Sequence, residues 1–150
     1  MSFGSDMGEV STSSDGFKAE LIVEDQMPIP ISFDKLELES YIEGYQIIIR
    51  LGIEDNPGSK NELTLEAGQL KLSPAMTYSI GPDSMPIKAS FGWEGLVDSL
   101  PSSYWGSLTV NSLSTDEKGK TAIKVSFSIE WETKDGKEMT LNGSELQLST

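Results

Sequence analysis

The chain has 150 residues, with 24 acidic against 11 basic side chains and a formal net charge of −13. Cysteine and histidine are both absent, which excludes disulfides, thiolate metal sites, Ser-His-Asp triads and most transition-metal chemistry. The negative charge opposes binding to nucleic-acid phosphates and anionic lipid surfaces, and no apolar run approaches the ~18 residues of a membrane span.

The N-terminal segment, residues 1–16, is rich in Ser, Gly, Thr and Asp. It offers little apolar surface to offset the entropy of ordering, so we predict a flexible arm, followed by one domain over 17–150. The segment has neither the basic region nor the apolar core of a signal peptide. If Met1 is the natural start, we expect a cytoplasmic protein; if a leader has been removed, we expect the cell envelope or secretion.

Alternation of apolar and polar residues predicts strands through the first part of the domain. The first, from Phe17 to Val23, ends at Glu24-Asp25. The apolar face then changes phase at Asp34-Lys35, which predicts a β-bulge or a tight corner. Further strands are predicted at 45–53, 63–67, 76–80 and 85–93.

The stretch Glu94–Ser103 contains Gly95, Pro101 and three serines and interrupts the strand pattern. It predicts the longest loop of the domain. Its apolar residues indicate a helical turn over 96–100. This loop lies between Trp93 and the pair Tyr104-Trp105, so aromatic side chains flank it on both sides.

The last part of the chain carries the clearest pattern, a meander of three strands over 107–149. Its middle strand, 121–132, alternates an apolar face with a polar face, the apolar members being Ile123, Val125, Phe127, Ile129 and Trp131. Asp135-Gly136 predicts a hairpin turn, and Asn142-Gly143-Ser144 a second bulge. We therefore expect an all-β, single-domain antiparallel fold of about eight to ten strands, a β-barrel, with a β-sandwich as the alternative.

The C-terminal meander also resembles a family of small calycin-like β-barrel proteins that Bacteroidetes export, often as lipoproteins. The matching residues are 106–110, the charged turn before Thr121, 125–128, 135–137 and 140–143. The resemblance implies a small barrel in or near the cell envelope of a bacterium. It implies no catalytic or ligand-binding residues. The chain departs from the family in lacking a leader and a lipidated cysteine, which puts export in doubt.

Two groups of acidic residues are candidates for chemistry, and each has a simpler explanation. Glu130 and Glu132 lie two apart on one strand face, as a glycosidase-like pair could, but Lys124 on the same face and the adjacent hairpin indicate open solvent. Oxygen-bearing side chains around the Pro57-Gly58 turn are of the type that calcium prefers; they are Glu54, Asp55, Asn56, Asn61 and Glu62. Their spacing fits no fixed calcium loop, so a polar hairpin is the better interpretation.

The aromatic residues around the long loop are the best candidates for a binding site. Trp93, Tyr104 and Trp105 could form a platform that stacks sugar rings or anchors a protein partner; the alternative is that they cap the core. We predict a non-enzymatic binding or interaction module that recognises a protein or glycan at one end of the barrel. The negative field favours a basic protein partner. No cofactor or metal is predicted, and the oligomeric state is left open.

A structural role in an envelope or extracellular assembly remains as an alternative, which an edge strand exposed beyond the N-terminal arm would support. Two other functions also remain. One is a lipocalin-like carrier of a small apolar ligand, which requires a closed barrel with small interior side chains. The other is a carbohydrate-active domain, which requires a groove that combines aromatic residues with two carboxylates.

Overall fold

The computed structural model describes residues 9–13, 16–41, 45–53, 61–68 and 70–150. These residues form eleven strands and no helix. The strands are β1 (Glu9–Ser13), β2 (Phe17–Val23), β3 (Ile29–Phe33), β4 (Lys35–Tyr41), β5 (Tyr45–Gly52), β6 (Glu62–Glu66), β7 (Thr77–Ile80), β8 (Lys88–Gly92), β9 (Tyr104–Thr115), β10 (Thr121–Glu132) and β11 (Glu138–Ser149). The prediction of an all-β antiparallel domain is confirmed.

The strands form two antiparallel sheets. The larger has the order β3-β2-β11-β10-β9-β7, and the smaller has the order β1-β4-β5-β6-β8. Among the described residues, only an isolated parallel bridge between Ile80 and Ile87 pairs one sheet with the other. A barrel needs a continuous ladder around its circumference, so the sheets are not closed and a sandwich describes the fold better. The preference for a barrel was wrong.

The predicted corner at Asp34-Lys35 is where the chain passes from one sheet to the other. β3 ends at Phe33 in the larger sheet and β4 begins at Lys35 in the smaller one. Because the two sheets bury opposite faces against one core, the change of apolar parity keeps both Phe33 and Leu36 inside. The N–H of Asp34 donates to the carbonyl of Gly52 at 3.1 Å and anchors this corner.

The segment predicted as a flexible arm contains a strand. β1 pairs antiparallel with β4, from Glu9 opposite Ser40 to Ser13 opposite Leu36. β1 thereby covers an edge of β4 that would otherwise be open. Residues 1–8, 14 and 15 lie outside the described residues, as does the predicted Pro57-Gly58 turn.

The core lies between the two sheets and is filled by the inward faces of their strands. Trp131 is 3% exposed, as its strand pattern predicted, and its ring lies 6.1 Å from that of Phe91 in the opposite sheet. The predicted bulge near Gly143 is present as a register shift between β10 and β11. In the part of the chain described, no helix is long and apolar enough to cross a membrane.

The loop between β8 and β9 contains no helical turn, contrary to the prediction for 96–100. Instead, Trp93 and Val97 form an antiparallel bridge, closed by N–H to carbonyl hydrogen bonds of 2.7 and 2.8 Å in the two directions. Gly95, with φ of 84°, provides the left-handed residue that so tight a turn requires. The bridge holds residues 93–97 in a tight turn, and Pro101 has no N–H to extend a helix from 96–100.

Candidate functional site

The three predicted aromatic residues do not share one surface. Tyr104 and Trp105 are the first two residues of β9, so their side chains point to opposite faces of the sheet. Trp105 is directed outwards and is 50% exposed. Trp93, just after β8, is half-buried and packs edge-on against Phe33, with ring centroids 5.4 Å apart. They therefore do not form one aromatic platform.

Tyr104 is half-buried and reaches from the larger sheet to the smaller one. Its hydroxyl accepts a hydrogen bond of 3.2 Å from the N–H of Ala89 in β8. β8 is an edge strand of the smaller sheet, so no neighbouring strand in the described part of the chain accepts a hydrogen bond from the N–H of Ala89. The Tyr104 hydroxyl accepts it instead. The Tyr104 side chain and the β8–β9 loop, rather than another strand, lie beside this edge of β8.

A cavity of about 370 Å³ lies against this edge of β8. Its walls are residues 89–92 of β8, residues 98–100 of the β8–β9 loop, Glu62 at the start of β6, and Tyr104. The loop and one of the predicted residues thus belong to one concave site. The volume falls within the range of about 300–1,000 Å³ that is usual for ligand pockets.

The loop wall of this cavity is held in place at its base. The N–H of Glu94 donates to the Asn61 side-chain oxygen at 2.6 Å, next to the start of β6. Together with the bridge between Trp93 and Val97, this bond fixes the direction in which the loop leaves β8. A wall anchored in this way offers a partly preformed site, which reduces the entropy lost on binding.

The charged groups that line the cavity are both acidic. Glu62 and Asp98 are exposed side chains in its wall, and no lysine or arginine is among the lining residues. The apolar part of the lining is formed by Ala89, Leu100 and the ring of Tyr104, all half-buried. The arrangement suits a ligand that combines a cationic group with an apolar part.

The outer face around Trp105 is a second surface that carries hydrogen-bonding groups. Trp105 lies opposite Glu130 on β10, and Glu130 lies opposite Thr140 on β11. In the next row, Ser107 lies opposite Ser128. An indole beside hydroxyl and carboxylate groups could stack on one face of a sugar ring and bind its hydroxyls.

The predicted acidic groups are only partly within the described residues. Glu130 and Glu132 are both exposed on the outer face of β10. Of the possible calcium ligands, residues 54–56 lie outside the description, whereas Asn61 binds the loop and Glu62 lines the cavity. In the described part of the chain, no group of three or more Asp or Glu side chains is placed to hold a metal ion.

A second cavity, of about 420 Å³, opens between the last residues of β11 and the start of β2. Gly16, Phe17, Leu36 and Glu145 are among its lining residues. It borders position 15, which lies outside the described residues. It is open to solvent where β2 and β11 separate beyond their paired residues, whereas a lipocalin-like carrier would hold its ligand inside a closed barrel.

The sequence interpretation identified the loop and Tyr104 but missed β8 and Glu62 as parts of the site. Glu62 was assigned to a polar hairpin, because its position beside Gly92 depends on the pairing of β6 with β8. The alternation of apolar residues at 63–67 and 85–93 predicted both strands, but it did not indicate that they pair with each other. No protein-family model, curated protein or solved structure matches this chain.

Proposed function

We propose that the protein is a non-enzymatic recognition domain that binds a basic segment of a protein partner in the cavity between β8 and the β8–β9 loop. The observation that carries the proposal is the lining of this cavity, in which Glu62 and Asp98 are the charged groups. They belong to a chain whose net charge is −13. The summed field attracts a basic partner, and the two carboxylates give that attraction a location.

The two carboxylates account for only part of the expected affinity. Exposed ion pairs contribute about 0.2–1 kcal/mol each, since water and salt screen them. Their main effects are a faster association and discrimination against acidic partners. The half-buried Ala89, Leu100 and Tyr104 of the lining supply desolvation energy when a ligand covers them. We therefore expect affinity in the micromolar range for a short basic peptide, about −8 kcal/mol or weaker.

The test compares two double variants with the same net charge. Glu62→Gln with Asp98→Asn removes the carboxylates of the cavity, and Glu20→Gln with Glu117→Gln removes two exposed carboxylates from elements that do not line it. Binding of Lys- and Arg-containing peptides is measured by calorimetry at several salt concentrations. The first variant should weaken binding at least fivefold and the second less than twofold. Equal weakening would show that only the diffuse field attracts the peptide.

A glycan-binding function at the outer face is the second candidate. The observation that favours it is the exposure of Trp105 beside Glu130 and near Ser107 and Ser128. Neutral oligosaccharides that bind here should lose binding in Trp105→Ala and keep it in Glu62→Gln. The carrier and carbohydrate-active alternatives have no comparable support, and the calycin-like resemblance, an envelope location and the absence of catalysis stay predictions.

A further inference from the structure

On the edge of β8 that faces away from β6, the backbone groups are hydrogen-bonded to other backbone groups at both ends. In the middle they make only one hydrogen bond among the described residues, to a side chain. At one end, the N–H of Ile87 donates to the Ser79 carbonyl at 3.2 Å, and the Ile87 carbonyl accepts from the N–H of Gly81 at 3.0 Å. At the other end, the N–H of Trp93 donates to the Val97 carbonyl at 2.7 Å. Between them, Ala89 donates its N–H to Tyr104.

Two hydrogen bonds define which residues of β8 face this edge. The N–H of Ala67 donates to the carbonyl of Ile47 at 2.9 Å, so the odd-numbered residues at the end of β6 direct their backbone groups towards β5. By the alternation of antiparallel ladders, Leu63 does the same, and its partner Phe91 directs its own groups away from β6. The bond from Ala89 to Tyr104 points the same way, which agrees with this assignment.

Three backbone groups of β8 therefore face the cavity: the carbonyl of Ala89, and the N–H and carbonyl of Phe91. None of the three has a hydrogen-bond partner among the described residues. Phe91 is only 2% exposed, and buried backbone groups in folded proteins are nearly always paired. The middle of this edge thus presents a donor and two acceptors in the pattern that an added strand satisfies.

We propose that the cavity binds an extended peptide segment that adds as a short strand to β8. One peptide residue exchanges two hydrogen bonds with Phe91, and a neighbouring lysine or arginine side chain extends towards Glu62 and Asp98. The inference rests on the proposed function and names the mode of binding at the same site. Strand addition gives affinity through the main chain and specificity through side-chain pockets.

The residues that are already paired at the two ends of the β8 edge limit the length of the added strand. Ile87 is paired with the end of β7, and Trp93 with Val97, so only the span between them is open. A segment of two or three residues fits this span and a cavity of about 370 Å³. The site therefore suits a short motif within a partner, rather than a long strand.

The experiment uses the chain of 150 residues, labelled with ¹⁵N, and the blocked pentapeptide Thr-Val-Lys-Val-Thr. Calorimetry measures its affinity, and NMR measures hydrogen exchange at the amides of Phe91 and Ala89. Two matched series of peptides distinguish the contribution of the lysine charge to binding from that of backbone hydrogen bonds. One replaces the peptide lysine by glutamine, and the other places a single N-methyl group on each peptide residue in turn.

We expect the parent peptide to slow exchange of the Phe91 amide at least tenfold and to leave that of Ala89, already bonded to Tyr104, nearly unchanged. N-methylation should weaken binding about tenfold at alternate positions and little at the others, since alternate amides face β8.

Each contrary result bears on a different claim. If the lysine peptide binds, but N-methylation has no alternating effect and Phe91 is not protected, strand addition is overturned and the proposed function stands. If the glutamine peptide binds equally well, with the alternating effect, strand addition stands and the preference for basic partners fails. If neither peptide binds, or if a dimer already protects Phe91 in the free protein, strand addition by a partner peptide is overturned.

Discussion

The hydroxyl of Tyr104 accepts a hydrogen bond from the N–H of Ala89 at 3.2 Å and so joins the edge of one sheet to a strand of the other. The isolated bridge between Ile80 and Ile87 joins the sheets on the same side. These contacts hold the open side of the sandwich together without closing it into a barrel. They also determine where the part of the β8 edge without backbone pairing begins.

Replacing Tyr104 by phenylalanine should remove this link while keeping the ring in place. We expect the free energy of unfolding to fall by about 1 kcal/mol and the Ala89 amide to exchange faster with solvent. Tyr78→Phe is the control, because its hydroxyl accepts a bond of 2.8 Å from the exposed N–H of Ser73. Urea denaturation and amide exchange test both variants, and unchanged exchange at Ala89 in Tyr104→Phe would contradict the assignment.

Gly106 lies opposite Ile129 of β10 and has no room for a side chain. A Cβ atom at this position would collide with the carbonyl oxygen of Ser128, a backbone atom that cannot rotate away. Gly106→Ala should therefore lower the free energy of unfolding by about 3 kcal/mol or more.

The matched control for this variant is Gly119→Ala. Gly119 has a φ of 82° and no atom within 4 Å of an added Cβ. Its substitution should cost about 1 kcal/mol, from the backbone conformation alone. Similar losses in the two variants, measured by chemical denaturation, would show that the approach of β9 to β10 is looser than described.

Trp131 and Trp105 should differ sharply in their contribution to stability. Trp131 is 3% exposed and Trp105 is 50% exposed. We expect Trp131→Ala to lower the free energy of unfolding by about 3–5 kcal/mol, and Trp105→Ala to change it by less than about 1 kcal/mol. Thermal and urea unfolding measure both. A large loss in Trp105→Ala would indicate a packing role and remove the main support for a glycan-binding face.

Deletion of residues 1–13 should destabilise the domain, because β1 pairs with β4 along five residues. We expect a loss of about 1–2 kcal/mol, at a few tenths per cross-strand pair. Deletion of residues 1–8 keeps β1 and should leave the free energy of unfolding within about 0.5 kcal/mol. If the two truncated proteins are equally stable, β1 contributes nothing and the segment acts as the arm that its composition predicts.

Much of the secondary structure could be predicted because it depends on neighbouring residues. The alternation from Ile123 to Trp131 gave β10, and the change of parity after Phe33 gave the corner between β3 and β4. The helical turn over 96–100 was predicted from apolar spacing alone. It failed because a bridge between Trp93 and Val97 forms only in the context of the folded β8 edge.

The candidate site was only half predictable. The long loop and Tyr104 stand out in the sequence, since aromatic residues flank a stretch without a strand pattern. Glu62 does not, because it is far from Asp98 along the chain and meets the same cavity only through the pairing of β6 with β8. The open backbone groups of Phe91 have no sequence signal, since every non-proline residue carries the same donor and acceptor.

The sequence by itself determined that this protein is built of antiparallel strands, that it lacks cysteine and histidine chemistry, and that its net charge is negative. These properties follow from local periodicity and composition. Only the tertiary structure decided that the sheets form a sandwich, that Trp105 and Tyr104 serve different surfaces, and that β8 has an open edge beside two carboxylates. Strand order and edge pairing join residues distant in the chain, and a period of two is the same whether a sheet closes or stays open.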